Sequence, residues 1–455
     1  MYLEITDEED VVDAIVQINS KCDEGNDGSS CCAVNHLQIQ LESPLQHLPP
    51  ASLRRFFQVV RTKLPDTPVE LHIASSSSLD ASVNPPLGSS SRPNTTSTEA
   101  LSLILRLVPN LHLLELCEVT LDGGPDLEGF KQSIVAQQGL THVYLRNVQH
   151  ANNNIDLRPL AEALSELPKL KALELYQVQF FSDSAFNAQA LALIAQSCHA
   201  TRLEIMPCER HNIQEQGLAI GEGLLQNTRE RLQELALLTK ISPKQSVMYE
   251  DAVIASLARF VLASSNLQRL QLNVCETINL VPLADALMHN TSLTTLAICW
   301  DRCAVTSQRL QYPWKHRFTQ TARQRNQSLR RNIQAWRRVL KDHNFGLERL
   351  DITMKDCHGV FGQEWKDSEI EFWLQLNRLG RQTVLREQSK ANDWISTLSK
   401  CKDDTSSLFY FLSEQPRLCF ESTTVSTRVN SSRRPRTEMK QSNFSGPKGK
   451  RQRIR

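Results

Sequence analysis

Residue types that often carry chemistry are plentiful in this chain, but their spacing matches none of the common reactive arrangements. Cys357 and His358 are adjacent in a predicted turn, which indicates chance proximity rather than a nucleophile and base brought together by a fold. Cys299 and Cys303 lack the second ligand pair of a zinc finger. The sequence contains neither GxxxxGK[ST] nor GxGxxG, the common phosphate-binding patterns. We therefore expect a protein that is not an enzyme and that binds no metal, nucleotide or other cofactor.

A second set of residues has types and spacing suited to recognition. These residues lie within or beside a recurring LxxLxL segment, and alternation along a strand would place them together on one face. Acidic side chains dominate the middle of the set, flanked by tyrosines and arginines, which are favoured anchors at protein interfaces. The residues are Glu115, Tyr144, Arg146, Glu174, Tyr176, Arg202, Glu204, Arg269, Gln271 and Asp351. We expect this face to bind a protein or peptide partner.

The element that must position these residues is a strand followed by a helix, repeated along most of the chain. The first frame position falls at Leu111, Leu140, Leu170, Ala200, Leu232, Leu267, Leu293 and Leu347. Most copies are separated by about 30 residues, and amphipathic segments typical of helices lie between them. One such unit cannot bury both of its apolar surfaces, whereas stacked units can. The sequence thus predicts an α/β solenoid with parallel strands on a concave side and helices on the convex side.

The frame and its period resemble the ribonuclease-inhibitor type of leucine-rich repeat over roughly residues 30 to 380. That family often has Asn or Cys three positions after the last strand leucine, where this sequence has Cys208 and Cys275. The resemblance implies a curved scaffold in which both cysteines are small core residues rather than nucleophiles. Other copies depart from the family pattern by carrying Val119, Val148 and Val178.

Breaks in the repeat pattern divide the chain into predicted regions. Residues 1–74 form an N-terminal cap and the first irregular repeats, and residues 75–98 form a disordered Ser/Thr-rich insertion, either a spacer or a target of phosphorylation. The regular solenoid occupies 99–363, with a basic insertion near 302–328, and a helical cap follows over 364–420. Within this cap, EIEFWLQLNRLGR, DWISTL and SSLFYFLSEQPRLC resemble the terminal unit of a family of algal leucine-rich-repeat proteins. Residues 421–455 are predicted to be a disordered basic tail.

Charge is segregated along the chain, although the net formal charge is only +1. Residues 1–301 carry 20 Lys and Arg against 35 Asp and Glu, whereas residues 302–341 carry 11 and none. Such a run of cations is either a solvated exterior or a surface for nucleic acid or anionic lipid, where nearby aromatic residues could stack on bases. Its candidate contacts are Arg309, Lys315, Arg317, Arg323, Arg325, Arg330, Arg331, Arg337 and Arg338.

The ends of the sequence bear on location. The N terminus is acidic where a secretory signal requires a basic start, and no apolar run is long enough for a membrane span, so we expect an intracellular protein with reduced cysteines. In the tail, RRPR and KGKRQR resemble a bipartite nuclear-import signal, although a solvated basic end has the same composition. Nuclear and cytoplasmic locations therefore both stay open. The residues of the two clusters are Arg433, Arg434, Arg436, Lys448, Lys450, Arg451 and Arg453.

A further functional alternative concerns residues 48–65, LPPASLRRFFQVVRTKLP, which resemble the opening of an F-box. That resemblance implies an adaptor in ubiquitin ligation. The next segment, PVELHI, is typical of a repeat strand, whereas an F-box would continue with helices.

Overall fold

The structure is a computed structural model that describes residues 1–23, 34–43, 45, 48–75, 95–121, 127–150, 156–208, 212–227, 231–239, 249–275, 278–301, 316–355, 361–364, 367–385 and 391–415. The chain divides into two compact units, Met1–Ser389 and Lys390–Arg455. The predicted sites at Arg309, Lys315, Cys357 and His358 and the two basic clusters of the tail lie outside the described residues. No helix in the described part of the chain is long and apolar enough to cross a membrane.

The first unit is built on a large sheet of twelve strands. The strands of the described chain are β1 (Tyr2–Ile5), β2 (Leu37–Ser43), β3 (Val69–Ser75), β4 (Thr95–Thr96), β5 (Leu111–Cys117), β6 (Thr120–Leu121), β7 (His142–Arg146), β8 (Gln149–His150), β9 (Ala172–Tyr176), β10 (Arg202–Met206), β11 (Glu234–Leu237), β12 (Arg269–Cys275), β13 (Thr295–Asp301), β14 (Arg349–Lys355) and β15 (Phe361–Glu364). Eleven strands of the large sheet run parallel in chain order, and β15 pairs antiparallel with β14 at its end. The short strands β4, β6 and β8 form a separate sheet.

Helices alternate with the strands of the large sheet. Those of the described chain are α1 (Glu8–Asp23), α2 (Pro50–Lys63), α3 (Thr98–Leu107), α4 (Leu127–Val135), α5 (Arg158–Glu166), α6 (Ser184–Ser197), α7 (Ile213–Gln226), α8 (Asp251–Ala263), α9 (Val281–Leu287), α10 (His316–Asp342), α11 (Ser368–Arg378), α12 (Arg381–Val384), α13 (Ala391–Lys400) and α14 (Thr405–Glu414). From α1 to α11, each helix contacts the next along the chain, so these helices form one row.

The strand register confirms the predicted leucine frame. Leu116, Leu145, Leu175 and Ile205 lie side by side on β5, β7, β9 and β10, and all four are buried. Helix residues such as Leu160 are buried as well. Burial of both surfaces between neighbouring units is the main favourable contribution to such an array. The first unit is therefore an α/β structure with a large parallel sheet and a solenoid-like alternation of strands and helices.

Two boundaries differ from the sequence expectation. Helix α10 begins at His316, inside the predicted basic insertion near 302–328. The sequence did not predict this start, because the first turns of α10 have no repeat of large apolar residues at helical spacing. The last residues of the predicted disordered segment 75–98 are regular structure, since β4 pairs with β6. The Ser97 side chain then accepts a hydrogen bond from the backbone N–H of Ala100 at the start of α3. The N-cap explains why this Ser/Thr-rich sequence becomes helical at Thr98.

An asparagine ladder links the ends of successive repeats. The Asn344 side-chain amide donates to the backbone carbonyls of Leu287 and Asn290, at 2.7 and 3.0 Å. The Asn377 amide then donates to the carbonyls of Asn344 and Leu347, at 3.2 and 2.7 Å. The ladder thus bonds backbone carbonyls at and beyond the helix ends, where the chain turns from each helix to the next strand.

The sequence NRLGR, residues 377–381, closes the last repeat. Arg381 is 3% exposed and donates to the carbonyls of Leu340, at 2.7 Å, and Lys341 near the end of α10. Its guanidinium also lies over the rings of Phe345 and Trp373. The backbone reaches this position through Gly380, whose φ of 101° follows the end of α11 and is accessible to glycine.

The second unit contains α13 and α14. Asp404 accepts hydrogen bonds from the backbone N–H groups of Ser406 and Ser407 and so caps the start of α14. Trp394 is buried and packs edge-on against Phe411, with ring centroids 6.4 Å apart. Trp394 and Phe411 therefore form a small core within this unit.

Candidate functional site

The register gathers all ten predicted recognition residues on the sheet face opposite the leucine frame, which we call the polar face. Its middle row runs through Glu115, Tyr144, Glu174, Glu204, Ala236, Gln271, Ala297 and Asp351. A first row, nearer the strand starts, runs through His142, Ala172, Arg202, Glu234, Arg269, Thr295 and Arg349. A last row begins with Cys117, Arg146, Tyr176 and Met206.

Acidic residues are numerous in the middle row, but the two at its centre, Glu174 and Glu204, are buried. Glu174 and Glu204 are only 6% and 9% exposed, whereas the Arg146 and Arg202 side chains are 42% and 47% exposed. Glu174 lies 3.4 Å from Arg146 and 3.2 Å from Arg202, and Arg202 reaches Glu204 at 2.9 Å. The carboxylates therefore support the arginines, and the guanidinium groups form the outer layer.

Tyr176 adds a second support beside this network. Its hydroxyl donates to the Glu204 carboxylate, and the Arg146 guanidinium lies 5.4 Å from the centre of its ring. Burial, reinforced by the bond to Glu204, raises the pKa of Tyr176 above its ordinary value. The phenol therefore stays a neutral donor, and Arg146 is held by a ring and by two carboxylates, those of Glu115 and Glu174.

His72 extends the network towards the first strands, and the sequence analysis missed it. Its Nδ1 lies 2.6 Å from Glu115 Oε2, and its Nε2 lies 3.2 Å from the side-chain amide of Gln38 on β2. The bond to Glu115 raises the pKa of His72, and the same bond lowers the pKa of Glu115. His72 stands between Leu71 and Ile73 as Glu115 stands between two frame leucines, so extending the frame to β3 would have found it.

The predicted basic segment is only partly available as a surface. Arg337 pairs with Asp367 at 2.6 Å and Glu369 at 3.1 Å, and Arg338 pairs with Asp285 at 2.7 Å. These bonds fasten α10 to its neighbours in the helix row. The exposed cations in the described part of the segment are Arg330, Arg331, Arg338 and Lys341. Three others belong to α10, but their side chains lie outside the described residues: Arg317, Arg323 and Arg325.

The cysteines and potential metal ligands add no second site within the described residues. Cys208 is buried, as the repeat frame predicted, while the Cys275 side chain lies outside the described part. Across the described ranges, no group of three or more His, Cys, Asp or Glu side chains is placed to hold a metal ion. The polar face is therefore the candidate functional site.

Comparison of the sequence with models of known protein families and with curated proteins gives no match. The functional argument consequently depends on the fold and on the geometry of the polar face. Because a fold alone does not specify function, the side chains of that face carry the argument.

Proposed function

We propose that this chain is a leucine-rich-repeat scaffold of the ribonuclease-inhibitor type, without enzymatic activity, which binds a protein partner across its polar face. The observation that carries the proposal is the layered network of Arg146 and Arg202 over the buried carboxylates of Glu174 and Glu204. A row of ion-paired arginines contributes little to the stability of a sheet when its outer groups are solvated. The arrangement is better suited to recognition.

The physical advantage of the network is that the arginines are ordered before a partner arrives. Binding normally costs about 0.5 to 1.5 kcal/mol for each flexible side chain that it immobilises. Glu174 and Glu204 already restrict Arg202, and the Tyr176 ring together with Glu174 restricts Arg146. Arginine and tyrosine are also the residue types enriched where interfaces derive most of their binding energy.

A bulky substitution on the polar face tests the proposal. Ala236 lies in the middle row and is partly exposed, so Ala236→Trp should block a partner without disturbing the buried frame. Ala263 is exposed at the end of α8, and Ala263→Trp is the matched control. In quantitative affinity capture from native cells with the full chain, we expect a partner that is retained by Ala263→Trp and lost with Ala236→Trp. Equal capture by both variants and the unmodified chain would refute the proposal.

A further inference from the structure

From β10 to β14, the first row of the polar face carries an arginine on every second strand. Arg202, Arg269 and Arg349 occupy equivalent register positions on β10, β12 and β14, with Glu234 and Thr295 on the strands between them. Neighbouring strands lie about 4.8 Å apart, so successive arginines start from backbone positions about 10 Å apart. We call Arg202, Arg269 and Arg349 the arginine row.

The arginine row faces outward. The side chains of Arg202 and Arg349 are 47% and 69% exposed, and Arg269 is exposed as well. Both ion pairs of Arg202 use the same nitrogen, Nη2, and Arg349 reaches Asp351 at 2.7 Å through Nε. A guanidinium has five N–H donors in a rigid fork, so the carboxylates beneath Arg202 fix its direction through Nη2, and its other N–H groups can bond an acceptor above the sheet.

The neighbouring positions indicate the chemistry of that acceptor. Ala236 and Ala297, both small, lie beside the arginine row in the middle row and leave space above the sheet. To reach the buried carboxylates of Glu174 and Glu204, a cationic partner would have to displace the Arg202 guanidinium, which is already paired with them at 3.2 and 2.9 Å. The described polar-face positions of β10 to β14 hold no aromatic side chain, whereas single-stranded nucleic acids are bound by stacking bases on aromatic residues.

We propose that the arginine row binds an acidic segment of a protein partner, whose carboxylates accept hydrogen bonds from Arg202, Arg269 and Arg349. This inference rests on the proposed function, because it specifies the partner that the polar face takes. Charge-assisted pairs between guanidinium and carboxylate are strong and directional, and the carboxylates that already orient Arg202 and Arg349 reduce the cost of forming them.

The test uses the full chain and a fluorescein-labelled peptide of about 20 glutamates, with binding measured by fluorescence anisotropy at low and high salt. The row variant is Arg202→Gln/Arg269→Gln/Arg349→Gln. The control, Arg330→Gln/Arg331→Gln/Lys341→Gln, removes the same charge from exposed positions on α10. We expect the row variant to raise Kd at least about tenfold and the control to change it less than about twofold. Melting temperatures and circular dichroism must show that both variants are folded.

Four outcomes would overturn the inference. Unchanged affinity in the row variant would assign the acidic peptide to another surface, and equal losses in both variants would indicate general electrostatic attraction. Row-dependent binding of a labelled oligothymidylate, without binding of the glutamate peptide, would assign the row to nucleic acid. The proposed function fails separately, when Ala236→Trp leaves partner capture unchanged. Loss of capture with Ala236→Trp but not with the row variant would refute the acidic segment alone.

Discussion

Glu174 connects two arginines that belong to different strands, since Arg146 lies on β7 and Arg202 on β10. The residue types of this network could be predicted from the leucine frame, because alternation along each strand assigns its side chains to one face. Their depth could not be predicted in the same way. The sequence shows that a carboxylate is present but not how accessible it is. Glu174 is buried because the longer arginine side chains of the neighbouring strands lie over it.

Removal of the Glu174 charge should weaken the sheet. Glu174→Gln leaves Arg146 and Arg202 with a weaker acceptor, and we expect the free energy of unfolding to fall by about 1 kcal/mol. The loss is small because both arginines are half exposed and keep the carboxylates of Glu115 and Glu204 as partners. Glu234→Gln, in the adjacent first row and more exposed, is the control and should change it by less than about 0.5 kcal/mol. Urea unfolding measures both; an equal effect of the two substitutions would contradict the supporting role of Glu174.

The pair of His72 and Glu115 should make stability depend on pH. The pKa of His72 is raised from 6.5, so its contribution is complete below about pH 6.5 and is lost as pH rises through the higher pKa of the folded state. The pKa of Glu115 is lowered from 4.5, so its contribution is present above about pH 4.5 and is lost as pH falls through the lower folded value. The pair therefore stabilises most between these limits.

Comparison of the wild type with His72→Gln across about pH 4 to 9 tests this dependence. We expect the difference in unfolding free energy, of order 1 kcal/mol, to be largest at about pH 5 to 6.5 and to shrink towards pH 9. Gln226→Ala, at an exposed site on α7 away from the pair, removes no titratable group and is the control substitution. A difference for His72→Gln that is constant across the range would show that the pair does not titrate as described.

At the scale of elements, α7 depends on close approach to its neighbours in the helix row. A Cβ added at Gly223 would lie 2.4 Å from the backbone carbonyl oxygen of Ala192 on α6. Helix propensity alone predicts that Gly223→Ala stabilises the protein by about 1 kcal/mol. The contact predicts the opposite sign, a destabilisation of about 1 to 3 kcal/mol, because backbone atoms must move apart. Thermal unfolding of Gly223→Ala beside Gln226→Ala, at an exposed site on the same helix, decides the sign.

The end of the helix row depends on Arg381. Arg381→Met removes the donors to the carbonyls of Leu340 and Lys341, and we expect a loss of about 3 kcal/mol in the free energy of unfolding. Arg378→Met is the matched control, since Arg378 is exposed and donates to the Glu348 carbonyl at 3.0 Å. Its expected loss is below about 1 kcal/mol. Similar denaturation midpoints for the two variants would contradict a special role for Arg381.

The leucine frame was sufficient to predict the order and register of the strands of the large sheet from β5 to β14, because period-2 and period-3.6 patterns are local properties of the sequence. It did not predict β1 or the small sheet of β4, β6 and β8. The first turns of α10 and the role of Arg381 were not predictable in this way. The α10 sequence is polar and basic where it begins, and a buried arginine becomes favourable only when helix carbonyls and aromatic rings surround it. Such features belong to contacts between distant parts of the chain.

At the scale of the whole molecule, the net charge of +1 conceals a segregation of acidic and basic residues along the sequence. Arg337 and Arg338 of the basic stretch pair with acidic residues of the neighbouring helices, so part of this charge is used within the first unit. Nucleic-acid binding by the remaining cations stays a prediction, as does nuclear import through the tail clusters Arg433 to Arg436 and Lys448 to Arg453.

The most direct test of the account is site-specific photo-crosslinking of the full chain in native cells. A benzophenone amino acid replaces Ala236 or Gln271 in the middle row of the polar face, and Ala263 on α8 serves as the control position. We predict crosslinked protein partners from positions 236 and 271 and none from position 263. Crosslinks that form equally at all three positions, or only at position 263, would contradict binding through the polar face.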